Sequence, residues 1–507
     1  MTDPRITGRG WHVGRRPRPR DRHDCTGLAT LVVGAGSAAR TVLRDLRSCP
    51  DYGLRPVGML DDDPGVRWVS GTPVLGPLAE LRSVVRKHEI QAIVIAIPSL
   101  PAAALSRLIR AAAETGAHVR YLPSFLAALE RAARAADMRT VSLPDLLGRA
   151  ERRILEPSVQ AMLRGARVLV TGAGGSIGQE LCRQIRSHDP ASVYMLDHDE
   201  SNMHTLQLEL NGRALLDSAE IVIADIRDAV RIRQVFRAVR PGVVFHAAAH
   251  KHLPLLEQHP GEGVKTNVLG TQNVVRAAAE YGTARLLLIS TDKAAEPRSI
   301  LGATKRLAEM IVQANADGMM CACSVRFGNV LGSRGSLLAV VREQIEHGEP
   351  VTVTDPDVTR FFMTVEEAVG LVLSAAPMGE FGETFVLDMG EPVRIVDLVR
   401  RYAEQLRVPD VQICFTGLRP GEKLHETLFG EREQRLPTVN PAISATRPGR
   451  LPGDFAGSLS QLCAAAADGD DQQVRVLLGE LLPDYRPAEA PSAATALALA
   501  SPYPDEF

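Results

Sequence analysis

Twice along this chain a short, unbroken apolar run ends in a glycine-rich turn and continues into a helical pattern. Leu28–Val33 leads into Gly34-Ala35-Gly36, and Arg167–Thr171 leads into Gly172-Ala173-Gly174-Gly175-Ser176-Ile177-Gly178. A run without polar alternation reads as a strand covered on both faces, and such strands belong to parallel sheets flanked by helices. Further runs of this kind lie at 56–60, 92–97, 192–196, 221–224, 243–247, 286–290 and 323–326.

The fold class that follows is α/β. It comprises two Rossmann-like, doubly wound parallel-sheet domains, the second with a mixed C-terminal substrate-binding cap. Residues 1–27, rich in Arg, Gly and Pro, read as a disordered arm. Residues 28–150 read as an N-terminal Rossmann-like domain, 151–165 as a connector helix, and 166–486 as one large domain whose composition turns mixed over roughly 331–430. The Ala/Pro/Ser-rich stretch 487–507 reads as a disordered tail.

Composition removes several functions. The chain has 507 residues, with 58 Lys+Arg against 60 Asp+Glu, a net charge of −2. That balance argues against a nucleic-acid partner, and 4% aromatics leave little for base stacking. No apolar run reaches the roughly 18–20 residues of a membrane-spanning helix, and the N-terminus has no signal-peptide core. The cysteines are scattered without a CxxC pair, which fits a reducing compartment, so a cytoplasmic location is expected. Only Lys87, Lys251, Lys265, Lys293, Lys305 and Lys423 are lysines; every other cation is arginine.

Gly172, Gly175 and Gly178 are spaced G-x-x-G-x-x-G between a strand and a helix. That spacing serves a tight turn, close approach to a pyrophosphate and close helix–strand packing, and the helix start adds free amides. Ser176 and Ile177 lie within this turn. Asp197 follows the next strand, where a carboxylate can hold an adenosine ribose and repel a 2′-phosphate, favouring NAD over NADP; the alternative is a simple turn cap. Asp225 and Ile226 follow the third strand and are expected to flank the adenine, with Ala247 at the end of the fourth. The Gly34/Gly36 turn with Asp61 matches less well, and that domain is read as a nucleotide site or as a regulatory or oligomerisation module.

The 286–290 strand delivers Ser290-Thr291-Asp292-Lys293 to the carboxyl edge of the sheet, where open α/β sheets bind ligands. Ser299 to Lys305 then opens a helix, so two lysines and an acid meet there. Here the residues resemble a family. VLVTGAGGSIG (168–178), AAAHKHLPLL (247–256), TNVLGTQN (266–273), STDKA (290–294), GATKR (302–306), RFGNVLGSRGS (326–336), TRFFMT (359–364) and RPGEKLHE (419–426) are similar to the extended short-chain dehydrogenase/reductases. The closer likeness is to the nucleotide-sugar 4,6-dehydratases of bacterial polysaccharide biosynthesis.

The resemblance implies an internal redox cycle with tightly held NAD, in which the sugar is oxidised at C4, loses its C5 proton and 6-hydroxyl, and regains hydride at C6. Lys293 would be the C5 base, Asp292 the acid for the 6-hydroxyl, Thr291 a partner of the 4-oxygen, and Lys305 a holder of the nicotinamide ribose. A free lysine titrates near about 10.4. Burial, Lys305 and oxidised nicotinamide are expected to lower Lys293. Leu301 stands where a tyrosine base is usual, so deprotonation of the C4 hydroxyl moves to Asp292 through Thr291, to Lys293 or to water. Lys251, Asn329, Arg334, Arg360 and Arg419 fall in the nucleotide-sugar stretches; Arg suits a diphosphate through its bidentate fork. Lys423 and Glu426 are less defined, and Lys265 has no assigned role. His250 and His252 gather no further ligand, so no metal is expected. The implied substrate is a UDP-sugar, best UDP-N-acetylglucosamine, and the implied assembly a homo-oligomer. A UDP-sugar epimerase and a non-catalytic nucleotide sensor are the alternatives.

Overall fold

The computed structural model describes residues 27–48, 53–97, 108, 111–112, 115–121, 139–140, 157–211, 218–315, 320–333, 336–379, 382–406, 408, 410–447 and 449–487. Most of the arm, the tail, residues 145–149 and Arg334 therefore lie outside the described residues. The chain divides into two compact units, 1–141 and 142–507.

The first unit is a seven-stranded sheet built from β1 (Leu28–Val33), β2 (Leu54–Leu60), β3 (Trp68–Val69), β4 (Thr72–Gly76), β5 (Ala92–Ile95), β6 (His118–Tyr121) and β7 (Arg139–Thr140), in the order β3-β4-β2-β1-β5-β6-β7. The strands from β4 to β6 run parallel, as the unbroken apolar runs demand. The helix Ser37–Ser48 lays Ala39, Val42, Leu43 and Leu46 on one face of this sheet.

The second unit carries β8 (Arg167–Thr171), β9 (Ser192–Asp197), β10 (Ile221–Ile223), β11 (Val243–His246), β12 (Arg285–Ile289) and β13 (Cys321–Arg326). Then follow β14 (Asn329–Leu331), β15 (Val351–Val353), β16 (Thr359–Arg360), β17 (Phe362–Thr364), β18 (Thr384–Leu387), β19 (Val393–Arg394), β20 (Ile413–Phe415), β21 (Leu436–Pro437) and β22 (Ile443–Thr446). The main sheet has the order β10-β9-β8-β11-β12-β13-β18-β22-β21, parallel from β10 to β18 and antiparallel beyond. Because β8 pairs with both β9 and β11, the chain reverses direction across the sheet there. A crevice opens at such a switch point above the carboxyl ends of the strands.

Alternate side chains of each strand enter opposite cores. Leu169, Leu196, Val244 and Leu288 face one layer, closed by the helices Ala229–Val239, Thr271–Glu280, Ile300–Ala314 and Phe455–Asp468. Val170, Met195, Phe245 and Leu287 face the other, closed by Ser176–Arg186, Glu200–Asn211 and Val365–Ala375. The stretch read as mixed is not all cap. Helix Val365–Ala375 and the fully buried β18 rejoin the main sheet, since an unbroken apolar run has nowhere else to bury. The cap proper has its own core around Leu338, Val351, Phe362, Leu398 and Val399.

Candidate active site

The glycine turn after β8 shows why glycine is needed. Gly172 has φ +68°, and a Cβ there would lie 2.6 Å from the Ala248 nitrogen. A Cβ on Gly178 would overlap the Gly172 carbonyl oxygen. Gly175 forms the N-cap of helix Ser176–Arg186, leaving first-turn amides free of side-chain capping. The Gly174 amide donates to Asp197 Oδ2 at 2.9 Å, and the Asp199 amide donates to Oδ1 at 3.0 Å. The carboxylate is thereby clasped against the turn. The first unit repeats this clasp: Ala35 N donates to Asp61 Oδ2 at 2.6 Å and Asp63 N to Oδ1 at 2.8 Å.

Above the turn lies a pocket of about 220 Å³ that Gly172, Gly175, Asp197, Asp225, Ile226 and Ala247 help to line. These residues fit a dinucleotide: a backbone cradle without Cβ atoms, a helix start and a clasped acid. Ser176, Ile177 and Gly178 belong to the helix start beneath it. Sequence reasoning missed further polar lining residues, among them His198, Asn202 and Arg227, and it considered His250, which also lines the pocket, only as a metal ligand. Asp225 is engaged by Arg227, at 2.8 Å from Nε; burial pushes its carboxyl up, but those hydrogen bonds hold it below the usual range. Beneath the pocket, buried His246 bridges Thr171 at 2.6 Å and Thr271 at 3.0 Å. Burial and the Lys305 charge bring its pKa down to about 3, so it is neutral.

At the end of β12 the chain enters a short 3-10 turn, Asp292–Ala294. Thr291 Oγ1 donates to Asp292 Oδ1 at 2.9 Å, and Lys293 Nζ donates to the same oxygen at 3.0 Å. Lys293 Nζ also lies 3.4 Å from Asn329 Oδ1 and 3.9 Å from Glu426 Oε1. The Asp292 side chain is fully buried, and its Oδ2 has no hydrogen-bond partner. Two glycines permit this packing: a Cβ on Gly328 would press on Phe361, and one on Gly302 would overlap the Lys293 carbonyl oxygen.

The expected depression of Lys293 is not what the structure gives. Burial does push it down, but Asp292 and Glu426 outweigh that and hold it above the ordinary lysine value. Lys305 behaves the other way. It is 7% exposed, donates to the Ile289 carbonyl at 2.6 Å, and burial brings its pKa to about 8. Leu301, one turn earlier, is buried in the apolar core. Helix Ile300–Ala314, which carries both, starts on a Ser299 cap, and Glu257 accepts from the Ile300 amide.

The remaining expected residues divide. Asn329 joins the Lys293 cluster. Arg360 is committed internally, at 2.7 Å to Glu422 and to the Thr359 and Leu424 carbonyls. Arg419 and Lys251 are exposed, and Lys423 pairs with Glu296 at 3.4 Å. Lys265 pairs with Glu262. Among the described residues no group of three or more His, Cys, Asp or Glu is gathered for a metal ion, and no helix is long and apolar enough to cross a membrane.

Residues 168–448, which contain every element of this site, match the family described as polysaccharide biosynthesis protein. The chain belongs to that family. Residues 12–123 match a CoA-binding domain family. Among relatives, the probable polysaccharide biosynthesis protein EpsC of Bacillus subtilis (strain 168) is 42% identical over 83% of this chain and 71% of its own length. The capsular polysaccharide biosynthesis protein CapD of Staphylococcus aureus is 40% identical over 80% of this chain and 69% of its own. Among solved structures, Pen from Bacillus thuringiensis is 32% identical with a TM-score of 0.52, covering 56% of this chain and 89% of that one.

Proposed function

We propose that the second unit binds NAD and removes water from a UDP-N-acetylhexosamine, best UDP-N-acetylglucosamine, giving a UDP-4-keto-6-deoxy sugar. The observation that carries this reading is the Thr291–Asp292–Lys293 cluster around the fully buried Asp292, an acid and an amine 3.0 Å apart at the same sheet edge as the dinucleotide cradle. Membership of a polysaccharide biosynthesis family supports a nucleotide-sugar substrate.

NAD bound there supplies a hydride acceptor at C4 and returns the hydride at C6. Gly172, Gly175 and the helix start at Ser176 would hold its pyrophosphate, Asp197 the adenosine ribose and Lys305 the nicotinamide ribose. A 4-ketone acidifies the C5 proton, which Lys293 takes, while Asp292 protonates the departing 6-hydroxyl. Both need inverted charge: a neutral amine and a protonated acid. The 3.0 Å hydrogen bond from Lys293 to Asp292 supports this, because it sets the base and the acid side by side, as loss of a proton and a hydroxyl from adjacent carbons requires. Asn329, Lys251, Arg334 and Arg419 are assigned to the nucleotide sugar, and Arg360 orders the segment that carries Glu422. A homo-oligomer belongs to the same proposal. The test is incubation with UDP-N-acetylglucosamine and mass spectrometry: loss of one water is expected, while an unchanged mass with inverted C4 would replace the reading by an epimerase.

A further inference from the structure

The elimination above leaves one proton unassigned. Oxidation at C4 removes a hydride from carbon and a proton from its hydroxyl, and Leu301 can accept neither. Four side chains form a continuous series at this place: Thr291 Oγ1 to Asp292 Oδ1 at 2.9 Å, Lys293 Nζ to that oxygen at 3.0 Å, and Glu426 Oε1 at 3.9 Å from Nζ. Glu426 arrives from a loop far along the chain. Its side chain is 2% exposed, and its Oε2 is buried without a hydrogen-bond partner, like Asp292 Oδ2. A buried carboxylate oxygen without a partner is costly, and gaining a proton removes that charge.

We infer that Glu426 is the proton store of this centre, receiving through Lys293 the equivalent of the C4 hydroxyl proton and returning it at the end of each turnover. The inference rests on the dehydratase reading. The charged groups facing Glu426 are Lys293, Asp292, Arg360 and Lys423; Arg360 is committed to Glu422 and Lys423 to Glu296. Burial and Asp292 push the Glu426 carboxyl above the ordinary range against the opposing pull of the cations, so it can hold a proton where a surface glutamate cannot.

The steps balance. At rest Asp292 and Glu426 are ionised and Lys293 is an ammonium. The C4–H electron pair leaves as hydride to the oxidised dinucleotide, the O4–H proton passes through Thr291 to Asp292, and Lys293 gives its proton to Glu426. The centre then holds a neutral amine and a protonated Asp292. The C5–H bond breaks onto Lys293, and the C6–O bond breaks with the Asp292 proton, releasing water. Hydride returns to C6 and the Lys293 proton to C5. The Glu426 proton then returns to Lys293. Glu426 touches no reacting atom and acts through Lys293, so it is a positioning residue.

The full chain with NAD is compared with its Glu426→Gln, Glu426→Asp and Asp292→Asn variants. Infrared spectra against pH should show a carboxylic-acid C=O band that titrates above the ordinary glutamate range. That band should be absent in Glu426→Gln and present in Asp292→Asn. With UDP-N-acetylglucosamine, kcat of Glu426→Gln should fall about 100-fold or more with KM little changed, in line with the loss of one acid–base group. Glu426→Asp should recover part of it. The acid limb of kcat/KM, present in the wild type above the glutamate range, should disappear in Glu426→Gln. A band that survives in Glu426→Gln, or an unchanged kcat in that variant, overturns the inference. If the wild type forms no dehydrated product, the functional reading fails, while the infrared arm still decides where the proton sits.

Discussion

Replacing Arg326 by methionine probes what holds Lys305 and the β12 end in register. Arg326, at the end of β13, is fully buried. Its guanidinium donates to both oxygens of Glu309 at 2.7 Å and to both of Glu433 at 2.6 and 2.9 Å. Glu309 sits one turn beyond Lys305 and also accepts from Ser290 at 2.6 Å, so this ion cluster ties the lysine-bearing helix to the strand that delivers Thr291. Burial pushes the Glu309 carboxyl up, but Arg326 and Arg306 bring it down to about 2. A fall from 4.5 to about 2 corresponds to roughly 3 kcal/mol of differential interaction.

Removing one partner of a buried pair leaves an uncompensated charge and costs about 3–5 kcal/mol, in agreement with that figure. At about 2 °C per kcal/mol for a unit of this size, the unfolding midpoint should fall by roughly 6–10 °C at neutral pH. The sign with pH follows. The folded pKa of Glu309 lies below its unfolded value, so its contribution is present above about 4.5 and disappears as pH falls towards 2. The wild type should lose stability over that window, and Arg326→Met should show little further loss there. Thermal unfolding by circular dichroism measures both. The double variant Arg326→Met/Glu309→Gln should recover more than half of the deficit, because Arg306 remains 3.1 Å from Glu433. A midpoint shift below about 2 °C, or a double variant no better than the single, refutes the reasoning.

Three further outcomes are expected. Lys293→Ala and Lys293→Arg should both abolish dehydration, since arginine keeps its proton; product retained by either variant would remove Lys293 as the base. NAD affinity, measured by calorimetry, should weaken as pH rises through about 8, where Lys305 loses its charge, and this dependence should be absent in Lys305→Met. Gly302→Ala should leave secondary structure intact but depress kcat strongly, because its Cβ would overlap the Lys293 carbonyl oxygen and displace the Asp292–Lys293 turn; unchanged kcat would show that the turn tolerates movement.

The parallel sheets were legible because unbroken apolar runs have only one kind of home. The glycine turn and Asp197 were legible because both lie within one βαβ unit, so short spacing encodes their meeting. What was not legible depends on distant segments. The sequence offers reasons to expect burial of Lys293, but the opposing carboxyl of Glu426 comes from more than a hundred residues later, and its distance decides the direction of the shift. Arg360 was read as a diphosphate ligand from its motif. Its fork is spent on Glu422 and two carbonyls, a pairing invisible until the loops close. His246 gave no signal at all: a histidine in an apolar strand becomes a neutral bridge only once Thr171 and Thr271 flank it.

The scarcity of lysine acquires a physical meaning here. Arg326 and Arg360 are as buried as the active-site lysines, yet each ends in a bidentate or multiple clamp on carboxylates and carbonyls. Burial leaves such a cation charged: the Arg326 pKa is pushed up by Glu309 and Glu433 in spite of desolvation. An ammonium on a flexible stem responds to its surroundings instead. Lys305, with a carbonyl as its hydrogen-bond partner, is brought to about 8, whereas Lys293, between two carboxyls, is held up. The same side chain thus holds its proton loosely or tightly within one site, according to whether its hydrogen-bond partner is a carbonyl or a carboxylate. A reaction that must both hold a polar ligand and move a proton needs that responsiveness. Arginine suits the frame and lysine the chemistry because only lysine can give its proton away.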